Sequence, residues 1–544
     1  MKGLDARRGA IGNGDRLRPG NRGSANRMSW EKEVEALRER QRLAREMGGP
    51  ERLERQKAGG KLNVRERVEQ LLDPGSFVEV GSIAGKSSYD EAGNLVSLTP
   101  ASLVIGRGRI DGRDVVVAGD DFTIRGGTNE GSIRDKLTRV ETMACGLRLP
   151  LIRLVDGSGG GGSAGMMDKD GHSRVPGYLG WDLVVANLNT VPVIGMALGS
   201  TAGLGSARVC ASHYSIMVKD TSQLFVAGPP VVNRLGARQF GKNELGGSQI
   251  HTRNGAIDDE AQSEADAFAR ARRFLSYLPP SIHALPPRSE SSDDPRRSVD
   301  WLIEAIPRDD RKVYKMRPII EALVDEASFF EIGRYWGRGV ITGFARLDGW
   351  PMAILASDPM HYGGAWTADA SRKVSRFTQL AQLFHLPIVH LVDIPGFLVG
   401  LEAEKTATIR HGVAALTAIQ QTTVPWCAVI VRKAYGVAAA GHSNQSRYSV
   451  RYCWPSMRAG SLPLEGGIEA AFRKDIEAAS DPQAKIAELR ERLQRLGSPF
   501  RTLEAFAYDE MIDPRETRAL LCEFANLAAP LRDPGASSFG YFPI

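Results

Sequence analysis

Two short segments rich in small residues have the composition of turns that bind anions through their backbone. They are Gly199–Gly205 (GSTAGLG) and Arg432–Ala438 (RKAYGVA), and each follows an apolar run and is expected to open a helix. The first amides of a helix have no partner inside it and point outward. Such a turn can hold a developing oxyanion, for example a thioester enolate. The alternative is a tight strand-to-helix turn that serves packing alone.

A glycine run after residue 156 fits two further motifs. Gly157–Gly162 (GSGGGG) fits GxGxxG, which can approach a dinucleotide pyrophosphate. Gly161–Gly165 (GGSAG) fits the GxSxG nucleophile elbow, with His172 or His213 as the base for Ser163. So many glycines satisfy both patterns almost automatically, and a flexible loop is the favoured interpretation.

The remaining candidates are histidines and cysteines. His411 and His442 are more typical of structural or surface histidines than of catalysts, and no His, Cys, Asp or Glu cluster has metal-ligand spacing. We therefore expect no metal site. The five cysteines are far apart without a CxxC pair, which fits a reducing cytoplasm.

The elements that position these residues repeat along the chain. A constant spacing of 237 residues relates two segments of the first half to the second, and a spacing of 233 relates a third. Such ordered matches indicate a duplicated domain. The matching pairs are Ile110–Asp121 with Leu347–Asp358, Leu149–Asp156 with Leu386–Asp393, and Thr190–Pro192 with Thr423–Pro425.

Each unit contains apolar strands alternating with helices, which predicts an α/β fold with strands buried on both faces. The order is an Asp-Gly turn, a strand, a helix (135–147 or 371–384), a strand ending in Asp, a helix, and a strand ending in a glycine loop. Residues 29–57 and 62–72 are predicted to be helical. The predicted organisation is a basic tail at 1–28, domains at 29–285 and 301–544, and a linker at 286–300.

Charge is uneven along the 544 residues. The net charge is +6, and most of it lies in the tail, so the basic balance gives little reason to expect nucleic acid as a partner. No apolar run is long enough for a membrane span. A cytoplasmic protein is expected.

Several segments resemble the carboxyltransferase (β) subunits of biotin-dependent acyl-CoA carboxylases, such as propionyl-CoA and methylcrotonyl-CoA carboxylase. The resemblance spans about residues 30 to 530 and is most specific in the second half. The segments are Lys61–Arg67, Gly126–Thr128, Thr190–Pro192, Glu244–Gly247, Val392–Phe397, Ile409–Gly412, Val424–Pro425 and Arg432–Gly436.

The resemblance implies two tandem crotonase-like (ββα-superhelix) domains. It implies sites where the first domain of one subunit meets the second domain of another, usually in a homohexamer. A partner chain that carries biotin carboxylase and the biotin carrier would deliver carboxybiotin, and an acyl-CoA would be the acceptor. No protein base is needed, because the biotin ureido anion takes the α-proton before the enolate attacks CO₂.

The resemblance also implies roles for particular residues. The amides of Gly203 and Leu204 would hold the thioester enolate, and those of Val437 and Ala438 the biotin ureido oxygen. The implied cofactor-binding positions are Gly126, Gly127, Tyr435, Gly436 and Ala440.

Two departures from the family pattern bear on these roles. Leu204 and Val437 stand where the family usually has glycine, and each keeps an amide while restricting the backbone. Residues 439–442 (AAGH) stand where propionyl-type enzymes have bulkier or acidic residues, so we expect an acyl pocket wider than, or shaped differently from, that of acetyl- or propionyl-CoA enzymes. Two alternatives stay open: a CoA-ester decarboxylase or transcarboxylase subunit, and a non-catalytic subunit that keeps the fold.

Overall fold

The computed structural model describes residues 29–128, 134–157, 167–168, 171–173, 180–236, 238–444, 448–462, 464–537 and 540–541. The predicted tail at 1–28 lies outside these residues. The glycine-run motifs do so as well, except for Gly157. Within the described ranges, no helix is both long and apolar enough to cross a membrane.

The first half is built on a seven-stranded sheet with the order β1-β4-β5-β6-β7-β9-β11. The β4–β5 hairpin and the β1–β4 pair are antiparallel, and the strands from β5 onward are parallel. Two small pairs, β2–β3 and β8–β10, lie outside this sheet. The strands are β1 Val78–Val80, β2 Gly85–Tyr89, β3 Leu95–Pro100, β4 Leu103–Ile110, β5 Arg113–Asp120, β6 Leu151–Val155, β7 Val193–Ala197, β8 Ser200–Ala202, β9 Tyr214–Val218, β10 Gln223–Phe225 and β11 Asp259–Ala261.

The second half repeats this arrangement in the order β12-β13-β14-β15-β16-β17-β19, with β18 paired to the far end of β16. An antiparallel β13–β14 hairpin again leads into parallel strands. These strands are β12 Phe330–Ile332, β13 Val340–Leu347, β14 Trp350–Ser357, β15 Ile388–Ile394, β16 Trp426–Tyr435, β17 Ser449–Cys453, β18 Arg458–Gly460 and β19 Glu510–Met511.

Helices cover both sheets. In the first half they are α1 Glu31–Arg45, α2 Pro50–Ala58, α3 Val64–Leu71, α4 Arg134–Leu147, α5 Trp181–Leu188, α6 Leu204–Cys210, α7 Pro229–Leu235, α8 Lys242–Gly246, α9 Ser248–Asn254 and α10 Glu264–Ser276. In the second half they are α11 Met316–Leu323, α12 Ala368–Leu383, α13 Leu401–Lys405, α14 Thr408–Gln421, α15 Gly436–Ala439, α16 Leu464–Ala471, α17 Arg473–Glu477, α18 Pro482–Leu496, α19 Pro499–Glu504 and α20 Thr517–Ala528.

One predicted helix is wrong in detail. The segment 29–57 forms two helices rather than one, because Gly48, Gly49 and Pro50 interrupt it. Gly49 has φ 90°, a conformation that continues no helix, and Pro50 begins α2 as its first residue.

The backbone confirms the repeat at the level of single residues. Non-glycine residues with left-handed φ recur 237 positions apart, and the glycines that open the two candidate turns recur 233 apart. The pairs, with their φ values, are Asp111 (50°) and Asp348 (51°), Arg125 (53°) and Tyr362 (53°), Arg148 (56°) and His385 (59°), and Gly203 (56°) and Gly436 (64°).

The repeat also extends upstream of the segments that sequence alone could match. Arg65 forms an ion pair with Glu79, and Arg317 forms one with Glu331. Each residue of the second pair lies 252 positions after its counterpart in the first pair. The change from 252 to 237 corresponds to 15 extra residues in the first half. The β2–β3 hairpin occupies this insertion, which hides the earlier part of the repeat from a fixed-spacing comparison.

Aromatic side chains join the two halves. The ring of Tyr214 lies 5.6 Å from that of Phe330, and Phe274 lies 5.6 Å from Phe344. The predicted linker packs on the second half, where the Ser289 amide donates to the Gly349 carbonyl at 3.0 Å. The predicted domain boundaries stay a prediction.

Candidate functional site

The first candidate turn follows β8 and opens α6. Gly203 has φ 56° and ψ −121°, and no side chain caps the helix. The Gly203 amide donates to the Phe225 carbonyl at 3.2 Å, so it is engaged inside the protein. Among the described residues, the amides of Leu204 and Gly205 have no acceptor. The available donors of this turn therefore begin at Leu204.

The second candidate turn follows β16 and opens α15. Gly436 has φ 64°, and no side chain caps the helix. The amides of Gly436, Val437 and Ala438 have no acceptor within the described ranges. The Val437 side chain is 59% exposed, whereas Ala438 is buried. The bulk of Val437 thus points away from the core and leaves its amide in place.

The Gly126–Gly127 turn lies against the end of β6. A Cβ at Gly127 would collide with the Asp156 carbonyl oxygen, and a Cβ at Gly364 would collide with the Asp393 carbonyl oxygen in the other half. Each half therefore needs glycine here to bring the turn against the strand end. In the first half, the Ala202 amide donates to the Gly157 carbonyl, which links this region to the candidate turn that follows β8.

Asp156 is the central carboxylate of an ion-pair network in the first half of the site. Its fully buried carboxylate lies 3.0 Å from Lys61 Nζ and 3.0 Å from Arg67 Nη1. Arg67 also pairs with Glu264 at 2.8 Å and donates to the Leu198 carbonyl at 2.9 Å. Because Leu198 directly precedes the turn segment, this network fixes where β7 delivers that segment.

Asp393 has the same place in the second half but different partners. Its fully buried carboxylate accepts from Tyr314 Oη at 2.9 Å and from the Lys433 amide at 3.0 Å. The Arg432 guanidinium lies 2.9 Å away and donates through Nη1 to the Lys312 carbonyl at 2.8 Å. Burial and the Asp393 charge raise the pKa of Tyr314 well above its usual value, so its hydroxyl stays a donor.

A bulge in β16 lies opposite Asp393. Val392 pairs with Ile430, but Ile394 pairs with Ala434, so the single residue Asp393 opposes the three residues 431–433. Bulges bend a strand and re-aim the residues beyond it. Here the carboxylate holds the bulge through the Lys433 amide, three residues before Gly436.

The other predicted cofactor-binding residues border the second turn. Tyr435 is half-buried at the end of β16, and Ala440 is exposed directly after α15. A Cβ at Gly460 would lie 3.4 Å from the Tyr435 ring, so the neighbouring strand β18 supports this side chain.

Within the described residues, His213 and His442 are both engaged by backbone groups of the fold. His213 is buried, its Nδ1 accepts from the Val193 amide at 3.0 Å and its Nε2 donates to the Leu188 carbonyl at 2.9 Å. Burial lowers the pKa of His213 to about 3. His442 Nδ1 contacts the Ala439 carbonyl at 2.8 Å, a bond within its own turn. In the described part of the chain, no group of three or more His, Cys, Asp or Glu could hold a metal ion.

Sequence reasoning missed the supporting network. Lys61, Arg67 and Tyr314 lie 79 to 95 residues from the aspartates they contact, so no local pattern connects them. One signal was visible in the sequence, because an aspartate closes the corresponding apolar run in both halves.

Comparisons with known proteins identify the family of this chain. The family described as carboxyl transferase domain matches residues 55–532. The propionyl-CoA carboxylase carboxyltransferase subunit of Haloferax mediterranei is 32% identical over 95% of this chain and 100% of its own length. The methylmalonyl-CoA decarboxylase subunit alpha of Veillonella parvula is 30% identical over 94% of this chain and 99% of its own length.

Among solved structures, a transcarboxylase 12S hexamer with methylmalonyl-coenzyme A bound matches with a TM-score of 0.84 and 30% identity. The match covers 95% of this chain and 99% of that one. The chain belongs to the carboxyl transferase domain family. The predictions of a tandem crotonase-like fold and of a biotin-dependent carboxyltransferase subunit acting on an acyl-CoA are confirmed.

Proposed function

We propose that the two glycine-initiated turns form the paired oxyanion-binding sites of this carboxyl transfer. The observation that carries the proposal is their duplication. Both turns open an uncapped helix at a glycine with positive φ. Each also has a buried aspartate nearby: Asp156 directly follows β6, which pairs with β7, and Asp393 lies near the end of β15, which pairs with β16. Packing alone needs a tight turn but does not need unpartnered amides in both copies.

In the first turn, the Leu204 amide is the principal donor to the acyl-thioester oxygen. Gly203 supplies the left-handed backbone that turns the Leu204 amide outward, while its own amide stays on Phe225. A donor aimed at the developing enolate lowers the barrier to removal of the α-proton, because negative charge grows on that oxygen. The Gly126–Gly127 turn would border the bound CoA.

In the second turn, the amides of Val437 and Ala438 fit a neutral or anionic carbonyl oxygen such as that of the biotin ureido group. When bound, carboxybiotin supplies the carboxyl group and a base for the α-proton. The chain's own part is to hold and orient. The Asp393–Arg432 pair fixes the bulge, the bulge fixes β16, and Tyr435 and Gly436 present the two amides.

In this proposal, the Ala440 side chain borders the acyl group. Its methyl group leaves more room than a larger residue, and Ala439 and Gly441 beside it are equally small. We therefore propose an acyl pocket larger than acetyl-CoA requires. A substrate panel in which acetyl-CoA is clearly the best acceptor would contradict this.

Direction and assembly belong to the same proposal. We favour a carboxylase subunit that works with a separate biotin carboxylase and biotin carrier chain, as a homohexamer in the cytoplasm. A decarboxylase is the second candidate, because similarity to the methylmalonyl-CoA decarboxylase subunit is nearly as high as similarity to the carboxylase subunit. Carboxyl transfer is reversible, so either direction uses the same turns.

Replacement of Leu204 tests the proposed donor by deleting a single N–H. Leu204 is the first residue of α6, a position where proline is tolerated because no intrahelical bond is lost. Leu204→Pro removes the donor, and Leu204→Ala keeps it while shortening the side chain. The assay is biotin-dependent decarboxylation of methylmalonyl-CoA by the assembled protein.

We expect Leu204→Pro to lower kcat about 10²–10³-fold, as loss of one oxyanion donor does elsewhere. Leu204→Ala should retain most of the rate, and both variants should keep the wild-type oligomeric state. Equal rates for the two variants would refute the role of this amide. An inactive wild-type chain with a bound biotinylated partner would instead support a non-catalytic subunit.

A further inference from the structure

A cavity of about 420 Å³ opens on the second half beside the start of α11. Its lining includes the four cations Lys315, Arg317, Arg334 and Arg338. None of these residues belongs to the two candidate turns or to the Asp393 network.

Two carboxylates, those of Glu331 and Asp358, lie beside these cations, and both accept hydrogen bonds from Arg317. Arg317 Nε donates to Glu331 at 2.9 Å, and Arg317 Nη1 donates to Asp358 at 2.6 Å. Arg334 lies only at the 4.0 Å limit from Glu331. Four cations against two carboxylates leave a net charge of +2. Within the described residues, Lys315 and Arg338 have no acidic partner.

The equivalent place in the first half carries less positive charge. Arg65 and Glu79 repeat the Arg317–Glu331 pair in the first half. At the same spacing of 252 residues, however, the positions equivalent to Lys315 and Arg334 are the uncharged Asn63 and Ser82. Arg338 lies two residues before β13, and at the spacing of 237 that relates β13 to β4 its equivalent is the uncharged Ala101. The ion pair is therefore common to both copies, and the three additional cations are particular to the second.

Lys315 also stands where the first half has a residue that caps its helix. In the first half, the Asn63 side chain caps α3 by accepting from the Arg65 and Glu66 amides at 2.9 and 3.0 Å. At the equivalent place in α11, Lys315 provides no cap. A cation there also faces the positive end of the helix dipole. Both differences favour an anion in the cavity.

The rest of the lining is apolar and aromatic. Met316, Pro318 and Met360 form part of the wall, and the Tyr335 ring is 41% exposed at its rim. The Arg253 guanidinium lies 5.6 Å from the centre of that ring. An exposed ring flanked by a cation suits a planar base.

We propose that this cavity binds a phosphate-bearing ligand with a planar base, separately from the acyl-CoA site of the first half. Arg317 is the fixed donor, because Glu331 and Asp358 hold its guanidinium. Lys315, Arg334 and Arg338 close around the phosphate oxygens. Tyr335 stacks on the base. This chemistry fits two sources, a free nucleoside diphosphate or the adenosine 3′,5′-bisphosphate end of a CoA.

Titration calorimetry on the assembled protein tests this site with inorganic pyrophosphate, ADP and adenosine 3′,5′-bisphosphate as probes. The test variant is Arg334→Ala with Arg338→Ala. The control variant is Lys474→Ala with Arg490→Ala, which removes the same charge from exposed helical positions of the second half. Neither pair touches the candidate turns, so carboxyl transfer can be measured independently on the same samples.

We expect the test variant to weaken pyrophosphate binding at least about tenfold and the control variant to leave it within twofold. Preference for ADP would identify a free nucleotide, and preference for the 3′,5′-bisphosphate would identify CoA. Photolabelling by 8-azido-ADP should mark the peptide that contains Tyr335. Equal pyrophosphate binding by the test and control variants, or a label found only elsewhere, would overturn the proposal. A wild-type protein that showed no carboxyl transfer would leave the proposal of this phosphate-binding cavity unaffected.

Discussion

Replacing Asp393 by asparagine removes the centre of the second-half network while keeping its shape. The carboxylate is fully buried, and its partner Arg432 has a side chain only 2% exposed. The variant keeps one oxygen for the Lys433 amide but leaves the guanidinium without a counter-charge. Removing one partner of a buried ion pair costs about 3–5 kcal/mol in the free energy of unfolding.

Urea-induced unfolding of the assembled protein measures this loss. Glu488→Gln is the matched control, because it makes the same chemical change in the exposed Lys485–Glu488 pair. Exposed pairs contribute about 1 kcal/mol or less. Asp393→Asn combined with Arg432→Met should recover part of the stability, since no buried charge is then left unpaired.

The same variant tests the positioning role. If the bulge aims Gly436 and the amides behind it, Asp393→Asn should lower kcat for carboxyl transfer more than it raises KM for the acyl-CoA. A stability loss below about 1 kcal/mol would refute the reasoning on the buried pair. An unchanged kcat in a variant that is clearly destabilised would refute the positioning role alone.

Two further predictions concern stability. The pKa of His213 is about 3 in the folded protein against 6.5 ordinarily, so the unfolded chain binds more protons between these values and stability falls as pH drops from about 6.5 toward 3. His213→Gln should reduce that loss by about 3 kcal/mol at pH 4, and an unchanged pH dependence would contradict the assignment. A Cβ at Gly199 would collide with Asp156 Oδ1, whereas a Cβ at Gly146 in α4 meets open space. Gly199→Ala should therefore destabilise strongly, and Gly146→Ala should stabilise by up to about 1 kcal/mol, as thermal unfolding will show.

Much of the fold could be predicted from the sequence, because the repeat preserves spacing where strands and turns are fixed by backbone geometry. The matches around Asp111 and Asp348 carry the same left-handed turn, so they survive divergence of side chains. The upstream part of the repeat was hidden because the β2–β3 hairpin shifts the spacing. The local sequence pattern predicted both candidate turns. It could not show that the Gly203 amide donates to the Phe225 carbonyl.

The cations that neutralise the two buried aspartates could not be predicted from the sequence, for a physical reason. Asp156 is neutralised by Arg67 and Lys61 from α3 and the segment before it, whereas Asp393 is neutralised by Arg432 from the adjacent strand. Both buried carboxylates are therefore neutralised, but the cations that do so occupy positions that do not correspond between the two halves. A comparison of the halves residue by residue therefore finds the aspartates and misses the cations.

Transfer of label from carboxyl-labelled methylmalonyl-CoA to free biotin, catalysed by the assembled protein, measures carboxyl transfer at the proposed oxyanion sites most directly. We expect a biotin-dependent loss of label whose rate falls about 10²–10³-fold in Leu204→Pro and is largely retained in Leu204→Ala. Label loss that is independent of biotin, or equal in the two variants, would contradict this expectation.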